Sequence, residues 1–231
     1  MSKNIIITGA SGNLGRATVD KLLSGKHHLI LTEPPGGSGA FSEYGDKVET
    51  HSLDLMNEEA AEALIGSLVE SHGTIDAAIL LVGGYAGGSI KNTTGSTLRK
   101  MFALNFETAY FVARPVFNQM ILQRGGGRII LIGARPAIKT EDARNNLAYS
   151  LSKSLLFRLA DVLNAEGSAR NVITTVVVPS TLDTPANRQA MPDADFGAWV
   201  RPEEVAEAMA WIISDKASAL REPVLKMYGR V

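Results

Sequence analysis

The sequence contains no cysteine, which excludes disulfides, thiolate nucleophiles and thiolate metal ligands outright. It also lacks an excess of one charge. Its 23 basic and 24 acidic side chains leave a net charge of −1, with no long block of either sign, which argues against a surface built for nucleic acid. No apolar run is long enough to span a membrane. The stretch MSKNIIITGA is too short in its apolar part for a signal peptide, so a cytoplasmic enzyme or binding protein is expected. Histidine is scarce, at four residues. His27 and His28 are adjacent at an apparent strand start, while His51 and His72 stand alone. Solvated or locally hydrogen-bonded imidazoles are therefore expected, and no metal site.

What the chain does have is a regular alternation. Apolar, β-rich runs recur at 5–8, 29–32, 48–53, 77–82, 128–132, 172–178 and 224–227, and most are continuous, as in parallel strands covered on both faces. Helical spacing occupies 14–23, 58–70, 98–122, 148–165 and 203–213. The expected fold class is α/β, a doubly wound (Rossmann-type) parallel seven-stranded sheet with helices on both faces. The 231 residues, 45% hydrophobic and 20% charged, suit a single domain over 1–231, since no linker or repeat interrupts them. Glu33 to Asp46, EPPGGSGAFSEYGD, is too rich in Gly and Pro for a full crossover helix. The segment at about 180–200, with Pro185, Pro192, Met191, Phe196 and Trp199, reads equally as a mobile lid over a substrate or as a docked surface helix with a loop.

The stretch ITGASGNLGRA places Gly9, Gly12 and Gly15 after the first strand and at the start of the first helix. In that setting the glycines free backbone N–H groups and let a pyrophosphate approach the positive helix end. The bland alternative is a plain strand-to-helix turn. Glu33 ends the second strand, where its carboxylate suits an adenosine ribose and repels a 2′-phosphate. NAD (NADH) is thus the favoured cofactor, and NADP a possible one.

The order T-G-x-x-G-x-x-G, the LDL at 53–55, the LLVGGYAGG at 80–88, the Asn105 in ALNFETAYFVARPVF, the YSLSK at 149–153 and the VVVPSTLDT at 176–184 together resemble the short-chain dehydrogenase/reductase superfamily over essentially the whole chain. The resemblance implies an NAD(P)-dependent oxidoreductase. It adds Ser11, Asn13, Leu14, Asp54, Leu55, Gly83, Pro179 and Thr184 to the cofactor-binding residues. Thr184 has the alternative of being only a turn residue. The stretch LLVGGYAGG stands where the family usually has an N-A-G turn, with the asparagine replaced, and Ser180 stands where it has glycine. Helices 98–122 and 148–165 are implied to pair with another subunit, giving a homodimer or homotetramer.

Tyr149 and Lys153 lie four residues apart, on one helical face. An ammonium there is expected to lower the phenol's pKa and make Tyr149 a proton donor and acceptor, with Lys153 also binding cofactor ribose hydroxyls. Asn105 either bonds a neighbouring carbonyl at a helix distortion or, by resemblance, holds a water in the proton path. Tyr85, after the fourth strand, is assigned to the substrate pocket, with a core role as the alternative. Arg16 and Arg135 are expected in solvent, Arg16 with a phosphate contact in reach. Within the superfamily, GGYAGG, Gly133-Ala134 and TLDTPANRQAMPDADFGAW are most like the dihydropteridine reductases. Those enzymes share the absence of the carbonyl-binding serine that most members have at Ala134. Asn105 and a slightly longer stretch from Ala134 to Tyr149 depart from them. The expected reaction passes hydride to or from a C=O or C=N group of a small molecule, a flat conjugated ring first. A general carbonyl or 3-oxoacyl reductase is the alternative, and a non-catalytic dinucleotide-sensing regulator the rival of another class.

Overall fold

A computed structural model describes residues 2–37 and 39–230. Seven strands form one parallel sheet in the order β3-β2-β1-β4-β5-β6-β7. They are β1 (Asn4–Thr8), β2 (His28–Glu33), β3 (Val48–Ser52), β4 (Ala77–Leu80), β5 (Gly127–Ile132), β6 (Val172–Pro179) and β7 (Val224–Met227). The helices are α1 (Asn13–Leu23), α2 (Glu58–His72), α3 (Gly95–Phe102), α4 (Thr108–Leu122), the single turn α5 (Thr140–Ala143), α6 (Leu147–Gly167), α7 (Pro185–Ala190) and α8 (Pro202–Ile212).

The continuous apolar strands are explained by what lies on either side. Successive side chains point to opposite faces. Ile6 and Ile30 pack with Ile65 and Leu68 of α2, Val112 and Val116 of α4 and Leu156 of α6. Ile5, Ile7, Leu29 and Leu31 pack with Val19 and Leu22 of α1 and Val205 and Met209 of α8. Each residue of these central strands therefore has a helix layer to enter. In β1, β2 and β4 nearly every side chain is buried, while the edge strand β3 is the least covered on this side of the sheet. The strand order reverses between β1 and β4, and at such a point the two neighbouring loops diverge and leave a crevice at the strands' C-terminal ends.

Three local expectations are refined. The described residues of the β2-to-β3 connection hold no α-helix, only a 3₁₀ segment at Ser42–Lys47 broken by Gly45 at φ 52°. The fourth strand stops at Leu80 instead of running to Val82. The helix expected over 98–122 is α3 and α4 joined by a π-helical stretch, Ala103–Glu107.

Three of the histidines are hydrogen-bonded, as expected, but to one shared partner that their sequence positions did not suggest. His28 on β2, His51 on β3 and His72 at the end of α2 all place Nε2 against the Glu49 carboxylate, at 2.8, 2.6 and 2.9 Å. Only His27 stays outside this group. His51 and His72 are separate in sequence, and the parallel pairing of β2 with β3 and the path of α2 bring them together. Arg135, expected in solvent, pairs with Asp142 at 2.6 Å and lies over the Tyr228 ring at 5.8 Å. Arg16 is also engaged. It donates to the Ala40 carbonyl at 3.2 Å and lies over Phe41 at 5.5 Å, tying α1 to the Gly-rich connection.

Candidate active site

The crevice between β1 and β4 begins with the glycine turn. Gly9 has φ +65°, and a Cβ there would come within 3.0 Å of the Val82 amide. Gly12 caps α1 with an extended backbone, its own N–H donating to Gly9 O at 3.1 Å. A Cβ on Gly15 would run into the Gly9 and Ala10 carbonyls, so the helix could not start so close to the turn with any other residue. No side chain caps α1 and no acid lies in its first turn. The first amides of a helix, here Asn13, Leu14 and Gly15, have no intrahelical acceptor and form the positive end of the dipole. Ser11 and Asn13 line the open side of this turn, and Leu14 turns inward to the core.

Glu33 ends β2 beside this helix start. Its side chain is 6% exposed, and Oε1 has no hydrogen-bond partner among the described residues. A buried carboxylate oxygen without a donor is costly, and a ribose hydroxyl is a donor of the right kind. The cradle that a Cβ would fill and the orphaned Glu33 oxygen both fit a nicotinamide dinucleotide. Asp54, by contrast, is exposed and its Oδ1 accepts from the Met56 amide at 2.9 Å, so part of its carboxylate is spent on a turn. Leu55 is buried with α2, which leaves only its backbone for a ligand.

Beyond β4 the second half of the crevice forms around Gly83. A Cβ on Gly83 would lie 2.8 Å from Asn105 Oδ1 and 3.1 Å from Lys153 Nζ. These two side chains, one from the π-helical stretch and one from α6, therefore meet at one backbone position. Asn105 is fully buried. Its Oδ1 accepts from the Gly84 amide at 2.8 Å, and its Nδ2 donates to the Gly84 carbonyl at 3.1 Å and to Ser152 Oγ at 3.0 Å. The neighbouring-carbonyl reading of Asn105 is thus the geometry present, and the helix distortion is centred on Asn105.

Lys153 is 5% exposed and donates to the Ile132 carbonyl at 2.8 Å. Burial pushes its amine down to about 8. Tyr149 lies one turn earlier on α6, its ring edge-to-face with Tyr85 at 5.2 Å and 70°. Burial, and then the neighbouring Tyr85, push its phenol up to about 12. The expectation that the lysine lowers the phenol is therefore overturned for the protein's own groups, because desolvation dominates at both residues. At neutral pH Tyr149 is a protonated phenol, the form that donates.

Tyr85 is 67% exposed, which disposes of a core role, and its hydroxyl donates to Asn146 Oδ1 at 2.6 Å. Ala134 is buried at the end of β5 with an extended backbone and offers no side-chain donor. Pro179 ends β6 and is buried. Thr184 is buried too, and its hydroxyl accepts from the Asn187 amide at 3.2 Å, capping α7. The segment around α7 is stitched at its base. Asp183 N donates to Val200 O and Val200 N to Thr181 O, with Trp199 and Val200 buried, while most of α7 stays exposed.

Sequence reasoning missed Ser152 and Asn146. Ser152 is fully buried, linking Asn105 to the Tyr149 carbonyl, to which its Oγ donates at 2.8 Å. A serine one position before the lysine, on the buried side of the helix, was the available signal. Asn146 gave none, since its partner Tyr85 is distant in sequence.

A parallel sheet whose order reverses beside a glycine-lined helix start is the architecture of the dinucleotide-binding folds. A profile described as short chain dehydrogenase matches residues 3–195. The chain belongs to this family, and is an NAD(P)-dependent oxidoreductase. It is similar to a dihydropteridine reductase from Dictyostelium discoideum, 27% identical over 90% of this chain and 87% of the relative. It is also similar to a 3-oxoacyl-[acyl-carrier-protein] reductase from Aggregatibacter actinomycetemcomitans, 26% identical over 99% of each. Among solved structures, ElxO with NADP bound superposes with a TM-score of 0.90 at 19% identity, covering 99% of this chain and 98% of that one.

Proposed function

We propose that this oxidoreductase works in the reductive direction on a flat, conjugated ring compound, with a quinonoid dihydropterin as the first substrate to test and Tyr149 as the proton donor. The observation that carries the reading is the pairing of Tyr85 and Tyr149, ring edge to ring face at 5.2 Å. An exposed aromatic held by Asn146 and a proton-donating phenol together offer a ring a stacking surface and an acid. Ala134 supports the same reading, because it gives no hydroxyl to a developing alkoxide, and an imine nitrogen is basic enough to need less help. The similarity to the Dictyostelium dihydropteridine reductase points the same way.

A nicotinamide dinucleotide held in this crevice would supply the hydride. The protein's part is to hold it and to deliver the proton. Gly9, Ser11, Gly12, Asn13, Leu14 and Gly15 form the pyrophosphate cradle, and Glu33 takes the adenosine ribose. Asp54, Leu55, Gly83, Pro179 and Thr184 complete the binding surface. Lys153, poised at Gly83, serves the second ribose and the face of Tyr149. Asn105 is a positioning residue that fixes Gly84 and, through Ser152, the Tyr149 turn. NADH is the preferred cofactor. The Glu33 carboxylate repels a 2′-phosphate, and Arg16 is already drawn to Ala40 and Phe41. The segment at about 180–200 acts as a lid hinged at its stitched base, with α7 as the moving part.

The similarity to the 3-oxoacyl reductase favours a second reading, a general carbonyl reductase. One panel separates the two: kcat/KM for quinonoid dihydropterin, small aliphatic ketones and 3-oxoacyl thioesters, each with NADH and NADPH. The pterin should win, and NADH should be the better donor. A clear lead for ketones or thioesters overturns the pterin reading, and tighter use of NADPH overturns the role of Glu33.

A further inference from the structure

At the β3 edge of the sheet, beyond β2, four side chains meet that the oxidoreductase chemistry does not use. The register of β2 and β3 pairs Ile30 with Glu49 and Thr32 with His51. Paired residues in a parallel sheet share a face, and residues two apart on one strand share it too. His28, Glu49 and His51 therefore point to the same side as Ile30, which packs beneath α2. The last residue of α2 is His72, and the helix ends over that spot at Gly73, φ +76°. The rings of His28 and His72 stand 4.6 Å apart. One oxygen of Glu49, Oε2, lies 2.8 Å from His28 Nε2 and 2.9 Å from His72 Nε2, while the other, Oε1, lies 2.6 Å from His51 Nε2.

We propose that His28, Glu49 and His72 form a binding site for a divalent first-row transition ion, zinc above all, which clasps the edge strand β3 to β2 and to the end of α2. The donor atoms of these three residues lie within 4.8 Å of one another. Ligands in a tetrahedral zinc site, with bonds of about 2.0–2.1 Å, stand roughly 3.3 Å apart, so small side-chain rotations suffice. Two imidazoles and one carboxylate suit zinc, nickel, cobalt and copper and not the all-oxygen preference of magnesium or calcium. His51 is the positioning residue. Holding Oε1, it turns Oε2 to the ion, in the way that ligating carboxylates are fixed by an outer hydrogen bond. All four side chains are partly open to solvent, which gives the ion a path in. The fourth coordination position is left to water.

The site lies away from Tyr149 and Lys153, so it stands or falls independently of the reductase reading. A hydrogen-bonded cluster without an ion is the competing account, and zinc and cobalt titrations of metal-free protein distinguish the two. The clasp predicts one saturable site per chain by calorimetry, visible d–d absorption of tetrahedral character on cobalt binding, and a rise in Tm of about 5–10 °C at a hundredfold excess over Kd. His28→Gln, Glu49→Gln and His72→Gln should each abolish the cobalt spectrum. His51→Gln should weaken binding by roughly 10–100-fold, and His27→Gln should change nothing. Far-UV circular dichroism of each metal-free variant separates lost ligands from lost fold. The proposal is overturned by the absence of a saturable site in the wild type, or by unchanged binding in folded His28→Gln and His72→Gln.

Discussion

At Lys153 desolvation and function pull in opposite directions. The amine sits at about 8 instead of 10.5 because it is buried, so below about pH 8 the folded protein carries an ionised group at a cost. Between about pH 8 and 10.5 the unfolded chain still binds the proton that the folded chain has released, and stability from this group rises with pH across that window. Tyr149 acts in the next window. Its phenol stays protonated up to about 12 in the fold against 10 when unfolded, so its contribution falls as pH climbs from 10 towards 12. Lys153→Met is expected to stabilise the protein at neutral pH by ~1–3 kcal/mol and to abolish turnover. Urea unfolding across pH should show the rise between pH 8 and 10.5 in the wild type and not in the variant. A variant less stable than wild type at pH 7 would show that the bond from Nζ to Ile132 outweighs the burial.

Between residue and fold stands the π-helical stretch, Ala103–Glu107. An extra residue in a helical turn swings one side chain out of the regular spiral, and such turns recur at functional sites. Here it carries Asn105 to both backbone groups of Gly84, fixing the loop after β4 against α6. Asn105→Ala should leave the Gly84 amide and the Ser152 hydroxyl short of partners. With roughly 1–3 kcal/mol for each group left unpaired, a loss of about 2–4 kcal/mol in urea unfolding is expected. A loss under about 0.5 kcal/mol, the range of an unimportant surface change, would mean that water replaces the side chain without penalty. Elements of this kind also mark where sequence reading stops. The glycine turn, the strand alternation and the Tyr149–Lys153 spacing are local, so their consequences follow from neighbours in the chain. The Tyr85–Tyr149 contact, the Arg135–Asp142 pair with Tyr228 and the convergence of three histidines on Glu49 join distant segments, and only the sheet order and the path of α2 reveal them. The direction of the Tyr149 shift was out of reach for the same reason. Spacing shows the lysine one turn away, but not the burial that overrides it.

For the molecule as a whole, the apolar residues left on α4 and α6 bear on assembly. Tyr110, Leu122, Leu151, Leu155 and Val162 are exposed there, on the helices from which a second subunit is expected to be bound. Light scattering should give a dimer or tetramer mass, and charged substitutions at Leu151 and Leu155 should shift it to the monomer. A monomer at micromolar concentration would remove the assembly from the account. The central claim is that this sheet, cradle and phenol together run a nicotinamide-dependent reduction in which Tyr149 delivers the proton. The most direct test compares wild type and Tyr149→Phe, at saturating NADH and the best substrate of the panel, for turnover and for NADH binding. The account predicts a kcat lower by roughly 10²–10⁴-fold with NADH affinity unchanged; near-normal turnover in the phenylalanine variant would contradict it.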